Sequence, residues 1–245
     1  MLCLQALGPA AFAVTAWPTT WNAMQSGTGY YYDNADVATR KVDIVGDATT
    51  YPAAYWSFYN VSGTDYLALR MRLNATPTYP NDYTYVWAFL IDTDSDSQVE
   101  WALQVNSINP NPDKIELRAV NAGTGGGTIA AVRLAAASWT DTTAADRRVS
   151  ATGDGSNFSS NADYFYDFVI PWTTFASYTG VTTSTPLAFI PWTSSSATQY
   201  ATTGDVPLNA ASSSLVSAEL SVPHPVIPEP STLALLGLAL SGMGI

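Results

Sequence analysis

The 245-residue chain has one cysteine and one histidine. A single thiol, Cys3, cannot close a disulfide within the chain, so the fold has to be held by packing. The lone imidazole, His224, stands in a Pro-rich stretch near the C-terminus. That leaves no histidine for a Ser-His-Asp or Cys-His device, a zinc site or a haem iron inside the fold. Charge is scarce as well: 12% of residues are charged, with nine Lys and Arg against twenty Asp and Glu, giving a net −11. Such a chain offers nucleic acid no basic surface. Every Lys and Arg lies between Arg40 and Arg148, so the C-terminal third has nothing to hold anionic lipid. Glutamates number four, and no acid stands in a recognisable catalytic motif. Gly123 to Gly127 is followed by neither Lys-Ser/Thr nor a helix pattern, which makes it a turn and not a phosphate cradle. The expectation is a protein that is not an enzyme; a weak glycan-active enzyme is the catalytic alternative.

What is present begins with the two ends. Pro228-Glu229-Pro230-Ser231-Thr232 precedes an uncharged apolar run from Leu233 to Ile245. The run is shorter than the roughly 20 residues that cross a bilayer comfortably, and Pro-x-Pro cannot continue a helix backwards. This composite resembles the PEP-CTERM sorting signal. The resemblance implies export, cleavage of the tail by an exosortase, only transient membrane contact through that tail, and residence at the surface or in the extracellular matrix of a Gram-negative bacterium. The chain departs from the pattern in ending at Gly244-Ile245 without Lys or Arg, which reads as a clipped terminus; an ordinary C-terminal core helix is the alternative. Leu2 to Ala16 is apolar and offers two small-residue cleavage boundaries, Ala11-Phe12-Ala13 and Val14-Thr15-Ala16. It reads as the remnant of a secretory signal peptide, with a buried first strand as the alternative. The expected organisation is a leader over 1–16, one domain over 17–208, a Ser-, Ala- and Pro-rich linker over 209–227 and a sorting tail over 228–245.

Inside the domain the period is two. Asp65 to Leu73 alternates, with Leu67, Leu69, Met71 and Leu73 on one face and Tyr66, Ala68, Arg70 and Arg72 on the other. Tyr83 to Ile91 is apolar on both faces, as a central strand would be. Val99 to Asn106 sets Val99, Trp101, Leu103 and Val105 against Glu100, Ala102, Gln104 and Asn106. Further strands are predicted at Trp56–Tyr59, Ile115–Val120, Thr128–Leu134, Tyr164–Pro171 and Leu187–Trp192, and at most a helical turn at Ala135–Trp139. The pattern predicts an all-β, antiparallel two-sheet β-sandwich of jelly-roll-like kind.

Four short motifs occur in order: Asp43-Ile44-Val45-Gly46-Asp47; Leu69 to Leu73; Ile91-Asp92-Thr93-Asp94-Ser95-Asp96 with Glu100-Trp101; and Phe168-Val169-Ile170-Pro171-Trp172. Together they resemble family 9 carbohydrate-binding modules, which belong with the DOMON-like sandwiches. The resemblance implies sugar binding, often with a calcium ion, and in some relatives haem, for which this fold has no histidine.

Two candidate sites follow. Asp92, Asp94 and Asp96 alternate at the end of an apolar strand, an oxygen-rich arrangement that suits Ca²⁺. It is not an EF-hand, because Ser97 stands where that loop has glycine and Leu103 where it has its bidentate glutamate. Structural calcium and a solvated acidic turn both fit. The second candidate is the polar sheet face. Strand parity puts Arg70, Arg72, Glu100, Gln104, Glu116 and Arg118 opposite the apolar sets, and Asp167 has the same outward parity. Exposed arginines, acids and amides beside aromatics suit sugar hydroxyls and sugar C–H faces. Cross-strand pairs such as Arg70 or Arg72 with Glu100 or Glu116 serve equally well as plain salt bridges. The function expected is an exported, carbohydrate-binding β-sandwich of the cell surface or exopolysaccharide matrix, with a purely structural surface protein as the alternative.

Overall fold

The computed structural model describes residues 14, 16–77, 84–108, 113–122, 132–200, 204–207 and 224–225. It is an all-β sandwich of antiparallel sheets with one α-helix. One sheet has five strands in the order β1 (Asn22–Ala23), β4 (Ala54–Val61), β5 (Thr64–Leu73), β11 (Tyr164–Pro171) and β10 (Arg147–Ala151). The facing sheet has seven: β13 (Gln199–Tyr200), β9 (Val132–Asp141), β8 (Lys114–Val120), β7 (Trp101–Asn106), β6 (Val86–Asp92), β12 (Pro186–Ser194) and β14 (His224–Pro225). A small ribbon pairs β2 (Gln25–Ser26) with β3 (Gly29–Tyr30).

The alternating residues do what their parity requires. Leu67, Leu69, Met71 and Leu73 of β5 pair with Ile170, Phe168, Tyr166 and Tyr164 of β11 and face the opposite sheet. From that sheet Trp87 meets Tyr166 with ring centroids 5.0 Å apart, and Phe89 meets Phe168 at 5.7 Å. Edge-on and tilted aromatic contacts of this kind add to the burial of large apolar area. The β4–β5 hairpin closes through Ser62 and Gly63, both at positive φ (52° and 87°). That is the left-handed pair that matches strand twist. Asn60 fixes the turn by accepting from the Gly63 amide and donating to Asp65.

Two expectations of local structure are corrected. Ala135–Trp139 is not a helical turn but the middle of β9, because the ladder to β8 outweighs the helix preference of three alanines. A helix, α1 (Trp172–Thr179), follows Pro171 where no helical period was expected. Only Trp172 and Phe175 of its eight residues are buried, so its apolar signal is two side chains. It stops at Gly180 (φ 76°), whose amide donates to Ala176.

Gly46 is held by contact rather than by conformation: a Cβ there would lie 2.6 Å from the Ala53 nitrogen and 2.7 Å from the Tyr51 oxygen. Both are backbone atoms, so nothing small can give way. Gly46→Ala is expected to cost about 1–3 kcal/mol, the range of overpacking, read by urea denaturation; an unchanged midpoint would show that the two backbones separate freely. Among the described residues no helix is long and apolar enough to cross a membrane.

Candidate functional site

The polar residues singled out by parity fall into three places. Arg70, Arg72 and Asp167 share the outer face of the five-stranded sheet. Gln104 and Glu116 stand opposite each other on the outer face of the seven-stranded sheet, on the far side of the molecule. Glu100 joins the acidic loop before β7. The sequence placed these residues on one neighbouring set of strands; β5 and β7 in fact belong to different sheets.

Parity was right about the face and wrong about its exposure. Arg70, Arg72 and Asp167 are buried, Arg72 and Asp167 fully. In the ladder Tyr55, Arg70, Asp167 and Arg148 form one cross-strand row over β4, β5, β11 and β10. Arg70 donates from Nε to Asp167 Oδ1 and from Nη2 to Oδ2, each at 2.7 Å, and Arg148 Nε donates to Oδ2 at 2.8 Å. Arg72 donates to Asp154, Ser156, Tyr55 and the Pro52 carbonyl. The arginines therefore pair with Asp167 and Asp154, not with Glu100 or Glu116 as the salt-bridge alternative had it.

The cover comes from the chain's own N-terminal segment. Trp21 lies 4.0 Å from the Arg70 guanidinium carbon and Trp17 4.6 Å from that of Arg148. Val14 packs with Tyr66, Ala68 and Val169 in a second apolar layer. The stacking partners a sugar would need are thus supplied internally.

On the other outer face Glu116 Oε2 accepts from Gln104 Nε2 (2.8 Å), Asn106 Nδ2 (3.1 Å) and Arg118 Nε (2.9 Å). Gln104 also donates to the Ala197 carbonyl, and Arg118 to that of Ala135. Gln104, Glu116 and Arg118 are buried, again against the expected exposure, and Asn106 is half-buried.

The acidic loop gathers Asp92, Asp94 and Asp96 and adds Glu100. Carboxylate oxygens of Asp92, Asp94, Asp96 and Glu100 lie within 4.8 Å of one another. Two oxygens each about 2.4 Å from a calcium ion can be no farther apart than that, so the spacing of the four is within the limit such an ion sets. The loop curls through Ser95 and Ser97 at positive φ (65° and 72°). Asp92 anchors it by accepting from the amides of Asp94, Ser95 and Ser97. Glu100, which the sequence assigned to the sheet face, accepts from the Thr93 amide and hydroxyl. Burial, with the charges of Asp92 and Asp94, pushes its carboxyl up to about 7 against those donors. Its place three residues after Ser97 was visible in the sequence; that the chain turns back there was not.

Of the termini, Val14 is buried and its nitrogen donates to Asp146. Residues 1–13 and the sorting-signal candidates Pro228, Glu229 and Pro230 lie outside the described residues. Within the stretch expected to be a free linker, His224–Pro225 instead pair with Pro186 and Leu187 as β14; edge pairing needs only backbone, which composition does not reveal. No family model, no curated protein and no solved structure matches the chain.

Proposed function

We propose that the chain is an exported, non-catalytic β-sandwich with a structural role at the surface or in the extracellular polysaccharide matrix of a Gram-negative bacterium. In this reading an exosortase removes the tail at Pro228-Glu229-Pro230, and Asp92, Asp94, Asp96 and Glu100 hold a calcium ion that fixes their loop rather than doing chemistry. The observation that carries the structural role over carbohydrate binding is that Arg70, Arg72, Asp167, Gln104 and Glu116 are all buried and already bonded within the chain. A glycan reaching Arg70 would have to displace Trp21. Affinity electrophoresis through neutral and acidic polysaccharides tests this: the wild-type domain should run unretarded. Retardation that the Trp21→Ala variant strengthens would return the face to glycan binding.

Export is supported by the position of Val14. Cleavage after Ala11-Phe12-Ala13 would turn its nitrogen into an ammonium where it already donates to Asp146. Burial, together with the neighbouring Asp141 carboxyl, to which the protonated Asp146 can donate, pushes the Asp146 carboxyl upward, and an ammonium would restore its charge. The exported protein is therefore expected to begin at Val14 by mass spectrometry. Asp146→Asn should then cost the processed form about 1.5–3 kcal/mol, the value of a charged hydrogen bond. A mature form beginning after Ala16 would remove this pairing.

A further inference from the structure

We infer that the loop between β3 and β4 and the segment after β12 build a second divalent-cation site, with Asp36, Asp43 and Asp205 as ligands and Asp33 beside them. Carboxylate oxygens of the first three lie within 4.8 Å of one another, again the span a calcium-sized ion allows. Asp43 and Asp205 are buried while Asp36 is exposed, which leaves the ion a way in. Asp36 and Asp43 share one loop while Asp205 comes from a distant part of the sequence, and the backbone clamps them together. Thr193 at the end of β12 donates its hydroxyl to the Val42 carbonyl and accepts the Asp205 amide. Asp205 in turn accepts from the amides of Ile44 and Val206. Asp43 accepts from the amides of Asp36 and Val37 and from the Asn74 side chain. These donors orient each carboxylate as outer partners of a metal site do, and a carboxylate oxygen that accepts one hydrogen bond keeps a further lone pair.

Asp33 separates this cluster from an ordinary acidic turn. It is 1% exposed. Its Oδ1 accepts from the Asn34 amide, whereas its buried Oδ2 has no hydrogen-bond partner among the described residues. The carboxyls of Asp33 and Asp205 stand within hydrogen-bond reach of each other, and Asp36 adds its charge. Among the described residues no Lys or Arg pairs with any of the four. Buried like charges with no counter-charge are costly, and a hard divalent cation among oxygen ligands resolves them. The competing resolution is a proton shared by Asp33 and Asp205.

Terbium luminescence and calcium competition on the full chain distinguish the two. Tyr31 and Tyr32, next to Asp33 in sequence, supply sensitising rings. In an Asp94→Asn/Asp96→Asn background, which disables the other acidic loop, the protein should still take up one terbium ion per chain, displaced by calcium. Adding Asp36→Asn and Asp205→Asn should weaken that uptake at least tenfold. Because Asp205 is buried, the exposed Asp36→Asn alone serves as the second variant; it should weaken uptake while the circular dichroism stays unchanged. No uptake in the folded background protein, or an affinity indifferent to Asp36→Asn, would overturn the site. So would an Asp33→Asn variant that melts higher in chelator and binds terbium as before, since that is the behaviour of a shared proton. Binding at the other loop is read separately, from Asp36→Asn/Asp205→Asn with that loop intact.

Discussion

Asp167→Asn is expected to lower the free energy of unfolding by about 3–5 kcal/mol, the cost of breaking a buried ion pair from one side. Asp167 is fully buried and pairs with two guanidiniums at once. An amide offers one acceptor where the carboxylate offers two, so Arg70 would keep its charge under Trp21 with half its bonds. Arg148 is 35% exposed at its side chain and can turn to water; Arg70 cannot. Guanidinium denaturation of the wild type and variant measures the difference. The control is Arg70→Met/Asp167→Leu, which removes charge from both sides and should cost less than the single change, since apolar replacement of a buried pair is often near neutral. A single variant within about 0.5 kcal/mol of the wild type would mean the row is solvated and open to ligands. The same face predicts an acid limb. Burial raises the Asp154 carboxyl, but the bond and charge of Arg72 outweigh it and hold it well below the ordinary range. Its contribution is therefore fully present above about pH 4 and is lost as pH falls through the lowered value.

Seven of the eight expected strands overlap strands of the structure, and Tyr164–Pro171 has the bounds the sequence suggested; of the eighth, Thr128–Leu134, residues 128–131 lie outside the described residues and 132–134 begin β9. Where apolar residues alternate, as in β5 and β7, the strand was legible because one face packs on the other sheet, so hydrophobicity follows period two. What parity could not tell is whether the second face is wet. In β5 the outer residues Tyr66, Ala68, Arg70 and Arg72 look half solvent-facing in sequence, yet all are buried. The missing knowledge was long-range: Trp17 and Trp21 lie some fifty residues earlier, beside a stretch that reads as a removable leader. Sheet membership was equally hidden. Arg70 and Gln104 share a parity pattern, but only the strand order shows that they point away from each other.

Local clusters are easier to read from sequence than distributed ones. Asp92, Asp94 and Asp96 are adjacent in sequence, so a strand end and a turn suffice to gather them. Asp205 is brought to Asp36 and Asp43 by the hydroxyl clamp at the end of β12 and by the Ile44 amide, 161 residues away in sequence, and no spacing announces the pairing. Glu100 was visible but assigned to the wrong surface, because it stands immediately before β7 on the parity of that strand's outer face and is drawn back by Thr93.

Calcium at a thousand times its dissociation constant from the Asp92–Glu100 loop is expected to stabilise the fold by about 4.1 kcal/mol, provided it binds only the folded state. The effect should grow with pH. Without the ion, the folded Glu100 holds its proton to about 7, while the unfolded residue releases it near its ordinary value. A group raised in this way favours folding at low pH, and its contribution is lost as pH rises from about 4.5 to 7. Calcium takes the deprotonated ligand and expels the proton, so it acts least at pH 5 and most at pH 8. Differential scanning fluorimetry in calcium and in chelator at the two pH values gives the four melting temperatures needed. The gap between calcium and chelator should widen from pH 5 to pH 8. Asp94→Asn/Asp96→Asn should remove this loop's share of it, with little cost in chelator because both side chains are exposed. Melting that the double variant leaves unchanged in calcium at pH 8 would return Asp92, Asp94 and Asp96 to a solvated turn between β6 and β7.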